Sequence, residues 1–332
     1  DDDGFGDASA TPDSCEPSET WYVTDAEDCD DTDEDIYPGA EEVRADGIDQ
    51  DCDGEDVTWV SLSAGDDYAC GVDSAGDAGC WGRYSTTYRE TTVPDLDFTL
   101  IEAGLDHTCG IETDGTVACW GYDAYDQCYP LSGTFTDLAL GDIWTCGIRT
   151  SGTIACWGST GHSYEDEIED EIPSGNYAQI DGYNYEVCAL SSSGLLRCWG
   201  SEDAFWWTDI VSDAPSGRYD KVSVSDTHAC ALDTDGYITC WGNTSDEVTE
   251  TPDSSYGEFI DVAAGASASC GIDDENQLHC WGDSTLETEP AGEYASLYMS
   301  KDTYAGACAF DLDNNLTCWG SGSMVTCADG EC

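Results

Sequence analysis

The chain has 332 residues and carries 72 acidic against 8 basic side chains, a formal net charge of −64. A nucleic-acid binder clusters Lys and Arg to displace counterions from phosphates, so this charge excludes that class, and anionic lipid is repelled for the same reason. No apolar run approaches the ~18 residues needed to cross a bilayer as a helix, which excludes membrane insertion by that route.

High charge with low hydropathy is also the signature of disorder, but 20 Cys, 12 Trp and 18 Tyr are order-forming and argue against it. Cysteine at this density reads as disulfides made in an oxidising compartment. The expected location is therefore secreted and extracellular. No signal peptide is visible, and the chain reads as a mature or trimmed product of export.

Residues 1–56 hold 23 acidic residues and one base, Arg44. In Asp49-x-Asp51-x-Asp53-Gly54, followed by Glu55, carboxylates alternate along a backbone that a glycine allows to turn. That is how a loop supplies oxygens to calcium, which takes about six to eight of them. Upstream, Asp28, Asp30, Asp31, Asp33 and Asp35 precede Pro38-Gly-Ala-Glu41-Glu42, and Asp1-Asp-Asp3-Gly-Phe-Gly-Asp7 makes a shorter third run. A solvated acidic linker explains a generic acidic run. Here the spacing is regular and interrupted by Gly, Pro and Cys, which favours metal. The candidate ligands are Asp28, Asp30, Asp31, Asp33, Asp35, Glu41, Asp49, Asp51, Asp53 and Glu55, and the expected ion is Ca2+. The stretch resembles the aspartate-rich metal-binding module of secreted bacterial proteins, of the pattern DCDDTD…PGAEE…DGID.DCDG. The resemblance implies a calcium-stabilised module without catalytic chemistry.

From residue 57 onward one unit repeats seven times. Cys-Trp-Gly begins at Cys80, Cys119, Cys156, Cys198, Cys240, Cys280 and Cys318, and a second cysteine stands ten residues before each, at Cys70, Cys109, Cys146, Cys188, Cys230, Cys270 and Cys308. The spacing inside the unit is constant and only the linkers vary, which is the signature of a repeat architecture. Unit two reads as short strands over Thr99–Gly104, His107–Ile111 and Val117–Gly121, with a turn at Thr113-Asp-Gly that makes the last two an antiparallel hairpin. In a hairpin centred on 114–115, Cys109 and Cys119 face each other on one side, with Cβ atoms at roughly disulfide distance. Trp120, one residue on, points to the other side. The disulfide of one blade is thereby placed to pack on the tryptophan of its neighbour. Units of about 40 residues built of strands predict propeller blades. The predicted architecture is all-β: a seven-bladed β-propeller over 57–332, with a short C-terminal tail, behind a small, loop-rich, acidic calcium module over 1–56.

The pattern Ala103-Gly-Leu-Asp-His-Thr-Cys-Gly-Ile…Asp114-Gly…Cys119-Trp-Gly resembles the regulator-of-chromosome-condensation repeat in its bacterial secreted form, over roughly residues 57–326. The family implies a seven-bladed propeller that binds partner proteins through its faces and loops. Its nuclear members act on chromatin and as nucleotide exchange factors, roles that neither disulfides nor this charge suit.

Seven intra-blade disulfides are expected: Cys70–Cys80, Cys109–Cys119, Cys146–Cys156, Cys188–Cys198, Cys230–Cys240, Cys270–Cys280 and Cys308–Cys318. Six cysteines lie outside the repeat pairs. Cys327 and Cys332 are close enough to pair, Cys29–Cys52 closes the metal loops, and parity then joins Cys15 to Cys128. Zinc is disfavoured, because Cys327-x4-Cys332 is the only short spacing.

Little points to catalysis. His107 and His228 occupy a repeat position that other units fill with Tyr68, Trp144, Glu186, Ala268 and Gly306, which reads as blade architecture. No Ser-His-Asp elbow, P-loop or dinucleotide fingerprint is present. Phe205-Trp206-Trp207 and Tyr84, Tyr88, Tyr122, Tyr125 and Tyr129 fall between units and are candidate contacts for a protein or sugar. The expected function is a non-enzymatic extracellular subunit that binds a protein partner. Self-assembly into a surface filament or coat, and an inhibitor or lectin engaging one target, are the alternatives.

Overall fold

The structure is a computed structural model that describes residues 29, 30, 33, 35–40, 42, 48–54, 57–66, 68–82, 91–158, 168, 171–200, 210–242, 248, 249, 251, 257–282, 286, 289–301 and 306–321. Its named elements are 21 strands in seven antiparallel three-stranded sheets, each built from consecutive strands. Blade 1 is β1 (Trp59–Ala64), β2 (Tyr68–Asp73) and β3 (Ala78–Gly82); blade 2 is β4 (Phe98–Ala103), β5 (His107–Glu112) and β6 (Val117–Gly121). Blade 3 is β7 (Phe135–Leu140), β8 (Trp144–Arg149) and β9 (Ile154–Gly158); blade 4 is β10 (Tyr177–Tyr183), β11 (Glu186–Ser191) and β12 (Leu196–Gly200). Blade 5 is β13 (Tyr219–Val224), β14 (His228–Asp233) and β15 (Ile238–Gly242). Blade 6 is β16 (Phe259–Ala264), β17 (Ala268–Asp273) and β18 (Leu278–Gly282), and blade 7 is β19 (Tyr294–Met299), β20 (Gly306–Asp311) and β21 (Leu316–Gly320). Each blade packs on the next, and β19 meets β1 to close the ring. Among the described residues no helix is long and apolar enough to cross a membrane.

Register follows from the cysteines. In every blade the two stand directly opposite, as with Cys109↔Cys119, and the seven predicted bridges are present with Cα–Cα distances of 4.0–4.1 Å. That separation belongs to the closer, non-hydrogen-bonded kind of antiparallel pair. The glycine after each Cys-Trp is required by its backbone. Gly121 has φ +107°, and a Cβ there would lie 2.6 Å from the Asp106 carbonyl oxygen and 2.8 Å from the His107 Cα.

The core lies between blades. The Cys109–Cys119 bridge of blade 2 packs in one buried cluster with Trp157 of blade 3, and the Cys146–Cys156 bridge of blade 3 with Trp199 of blade 4. The ring closes the same way, with the Cys308–Cys318 bridge of blade 7 against Trp81 and Trp59 of blade 1. The indole N–H groups also fix the linkers: Trp157 donates to the Gln127 carbonyl, Trp199 to Ile168, Trp241 to Ile210 and Trp281 to Val248, at 2.7–3.1 Å.

Candidate functional site

The first candidate is the acidic segment before blade 1. Ile36, Ala40 and Gln50 are buried there. The turn around Gly39 lies against residues 50–51, with Tyr37 N–H donating to the Gln50 carbonyl at 2.8 Å and Gly39 N–H to the Asp51 carbonyl at 3.2 Å. The Cys29–Cys52 disulfide clamps the same loop. Within it, Asp49 accepts from Asp53 N–H (3.1 Å) and Gly54 N–H (2.9 Å), so its carboxylate caps the turn that Gly54, at φ +100°, completes. Glu42 accepts from Asp51 N–H at 2.7 Å.

These bonds bring carboxylate oxygens of Glu42, Asp49 and Asp51 within 4.8 Å of one another, all half-buried. Asp49 and Asp51 are spacing-predicted ligands. Glu42 is not: the spacing pointed to its neighbour Glu41, which with Asp28, Asp31 and Glu55 lies outside the described residues. Asp53 enters the loop through its backbone N–H, bonded to Asp49 and Asp51. Asp30, Asp33 and Asp35 make a separate turn, in which Asp33 N–H donates to the Asp30 carbonyl and the Asp33 carboxylate accepts from Asp35 N–H. The chemistry of the donor set tests which metal fits. Three carboxylates and neighbouring carbonyls form an all-oxygen environment, and both local cysteines are tied up in a disulfide. Such a set suits a hard cation such as calcium, whereas copper and zinc favour nitrogen and sulfur.

The second candidate was not foreseen from sequence. Each blade's innermost strand (β1, β4, β7, β10, β13, β16, β19) has an irregular register between its first and third residues. Such bulges re-aim side chains. The third and fifth residues then reach the next blade beside the ring axis. Asp137 (third in β7) accepts from Ile180 N–H at 2.8 Å, Gln179 from Val222 N–H at 3.0 Å, and Asp261 from Leu297 N–H at 3.0 Å. From the fifth position, Ser63 accepts from Ala103 N–H, Asp181 from Val224 N–H and Ser223 from Ala264 N–H, at 2.8–3.1 Å. An inner strand has no sheet partner on its axial side, and buried backbone N–H groups need acceptors. The preceding blade supplies them.

The chain's only two lysines, Lys221 and Lys301, join this axial network. Lys221 pairs with Asp261, and Lys301 reaches from blade 7 to Asp181 in blade 4 at 2.5 Å. They surround a hollow of about 150 Å³ together with Glu102 and Asp137. Burial, offset by Lys301 and reinforced by Asp181, pushes Glu102 up to about 7; Ser63 Oγ donates to it at 2.7 Å. Burial likewise holds Asp137 well above the usual carboxylate range.

The histidines behave as blade architecture. His107 Nε2 meets Thr145 Oγ1 of blade 3 at 2.9 Å, and His228 Nε2 meets Ser269 Oγ of blade 6 at 2.6 Å. Burial pushes them down to about 3 and about 4. An unfolded chain protonates both near 6.5, so each contributes stability that is complete above that pH and lost as pH falls toward its folded value. His107→Gln is expected to reduce the steepness with which unfolding free energy falls between pH 6.5 and 4 by about one proton. Denaturant melts across that range check this, and an unchanged slope would count against it.

Cys128 has no disulfide partner among the described residues, and Cys15, the partner that parity assigns it, lies outside them. Cys128 sits in the linker after blade 2, half-buried, donating to the Tyr122 carbonyl at 3.3 Å, while its N–H is held by Asp123 at 3.0 Å. Burial and then Asp123 push the thiol up to about 12. Nearby, Tyr122 and Tyr125 meet edge to face at 6.0 Å and Tyr129 is 66% exposed. Tyr84, Tyr88, Phe205, Trp206, Trp207, Cys327 and Cys332 lie outside the described residues.

Comparison with known proteins agrees with this geometry. The family model of the "Regulator of chromosome condensation (RCC1) repeat" matches residues 98–127, 219–246 and 259–286. A family named for copper binding and described as "Putative metal-binding motif" matches residues 28–56. No curated protein matches the chain. Similar solved structures include the ectodomain of the Physcomitrella patens receptor kinase CR4, 22% identical over 80% of this chain and 75% of that one, with a TM-score of 0.65. The CRINKLY WD40 ectodomain of the Arabidopsis thaliana receptor kinase ACR4 is 20% identical over 80% and 96%, with a TM-score of 0.62. Prp20p from Saccharomyces cerevisiae, described with binding to Gsp1p and histones, is 12% identical over 77% and 84%, with a TM-score of 0.57. At these identities the likeness is one of fold.

Proposed function

We propose that this chain, a propeller of regulator-of-chromosome-condensation repeats behind a metal-binding motif, is a secreted, non-enzymatic protein-binding subunit of the cell surface, with residues 1–56 as a calcium-stabilised module and 57–332 as the binding scaffold. One observation carries the non-catalytic reading. The carboxylates of the axial hollow are already engaged: Asp137, Asp181 and Asp261 accept backbone N–H groups of the following blade, and Glu102 accepts from the Ser63 hydroxyl. They hold the ring together. Disulfides in every blade and the likeness to receptor ectodomains support an extracellular setting. Fold alone does not choose among propeller functions.

The all-oxygen cluster supports calcium over copper. Glu42, Asp49 and Asp51 would hold the ion, which neutralises carboxylates that otherwise repel. Calcium titrated into the metal-free protein is expected to bind and to protect residues 29–56 from protease, with chelator reversing the protection. Asp49→Asn and Asp51→Asn are expected to weaken binding at least tenfold, and Glu42→Gln to a similar degree. Tighter binding of copper than calcium, or protection indifferent to chelator, would overturn the assignment. Self-assembly is the second reading, favoured by the contrast between residues 1–56, with 23 acidic groups and one base, and residues 149–221, which hold four of the chain's eight basic side chains.

A further inference from the structure

The hairpin turns joining the second and third strands lie on one face of the ring. In blades 1, 2, 5, 6 and 7 an aspartate accepts turn N–H groups: Asp73, Asp114, Asp233, Asp273 and Asp311. Blades 3 and 4 differ. Their turns, Arg149-Thr-Ser-Gly-Thr153 and Ser191-Ser-Ser-Gly-Leu195, contain no carboxylate, and in blade 4 the Ser191 hydroxyl accepts from Leu195 N–H at 3.0 Å instead.

Three of the chain's eight basic residues, Arg149, Arg197 and Arg218, stand in or beside these two turns, while Lys221, paired with Asp261, lines a hollow next to them. Arg149 donates to the Ser132 carbonyl at 2.8 Å and lies 4.9 Å over the Phe135 ring. Arg218, whose backbone pairs with Leu195, donates to the Ser193 carbonyl. Arg197 donates to the Leu196 carbonyl at 2.8 Å. The acceptors are neutral carbonyls, so among the described residues none of the three guanidinium charges is cancelled by an ion pair. Arg197 and Arg218 are exposed. Between blades 4 and 5 the same face opens into a hollow of about 520 Å³, walled by Leu190, Tyr219, Lys221 and Ile260, with Asp220 its one lining carboxylate among the described residues. Leu195 and Tyr237 stand exposed on the turns of these two blades.

We propose that this face of blades 3–5 docks the aspartate-rich N-terminal segment, residues 1–56, of a second copy of the chain. Planar guanidinium groups bind carboxylates in paired hydrogen bonds, and residues 1–56 carry 23 acidic groups against one base. Two copies at −64 repel at long range, but at physiological salt that field decays over about 8 Å, leaving contacting pairs to decide the approach. Donor segment and acceptor face are different surfaces, so the contact is heterologous and propagates head to tail. The inference rests on the self-assembly reading and names its interface.

The test is sedimentation velocity on the full chain at 0.15 M salt with millimolar calcium. The wild type is expected to form concentration-dependent oligomers. Arg197→Gln with Arg218→Gln is expected to weaken association at least tenfold. Val60→Glu with Thr99→Glu, which changes net charge equally at exposed positions on blades 1 and 2, is expected to leave association within threefold of wild type. Oligomers untouched by the arginine changes, or weakened equally by both variants, would overturn this face while leaving self-assembly standing. A monomer throughout would overturn the docking pair and self-assembly together; the calcium titration judges the N-terminal module independently.

Discussion

Full reduction of the disulfides is expected to unfold the propeller at room temperature without denaturant. Each intra-blade bridge closes a short loop, worth about 2–3 kcal/mol through the entropy it removes from the unfolded chain. Seven such losses exceed the about 5–15 kcal/mol that holds a typical domain. Removing one bridge, by Cys109→Ala with Cys119→Ala, is a smaller change: a loss of about 2–4 kcal/mol in a chain that stays folded, because a cavity opens beside Trp157 as the constraint goes. Tryptophan fluorescence in a strong reductant is the direct measurement. A reduced protein that melted within a few degrees of the oxidised one would mean that packing between blades holds each sheet unaided.

Lys301→Met is expected to lower the unfolding free energy by about 3–5 kcal/mol at pH 8, the usual consequence of removing one partner of a buried pair. Asp181 loses its counter-charge, and Glu102 and Asp137 face it across the same hollow. The sign of the pH dependence follows from Glu102. Its folded value, about 7, lies above its ordinary 4.5, so its contribution to stability is fully present below about 4.5 and is lost as pH rises through about 7. Removing the ammonium group raises Glu102 and Asp137 further. The damage should therefore shrink by more than half at pH 5, where they take up protons, and Lys301→Met with Asp181→Asn should recover most of it at pH 8. Equal losses at pH 5 and pH 8 would show that Lys301 acts by packing rather than charge.

The propeller was legible because its information is local. A ten-residue cysteine spacing around a short turn fixes which residues oppose, and the tryptophan next to the second cysteine must then face the neighbouring blade. The axial network escaped because its residues share a place and not a chemistry. Ser63, Glu102, Asp181 and Ser223 all stand fifth in their strands, and no residue type marks the position. The rarity of Lys221 and Lys301 was the available signal, since a chain with two lysines that places both in inner strands or beside them is using them. Glu42 was missed for another reason. Its approach to Asp49 and Asp51 depends on the pairing of Tyr37 and Gly39 with residues 50–51, a contact that carboxylate spacing does not encode. At Cys128, parity rests on the count of cysteines and not on place, and the partner it names, Cys15, lies outside the described residues.

Every blade is made of consecutive strands, and none is shared across the junction of blades 7 and 1. That junction is held by side chains: the cluster of Trp59, Trp81 and Phe310, and the Ser300 hydroxyl donating to the Gly65 carbonyl at 3.2 Å. Pulled from the two ends of the propeller, the molecule would therefore part first at this seam, like a clasp. The remaining blades would peel away in turn, each keeping its second and third strands bolted together by sulfur. Only linkers and inner strands would lengthen, so under load the ring becomes a tether of seven closed links, able to refold once the tension is released.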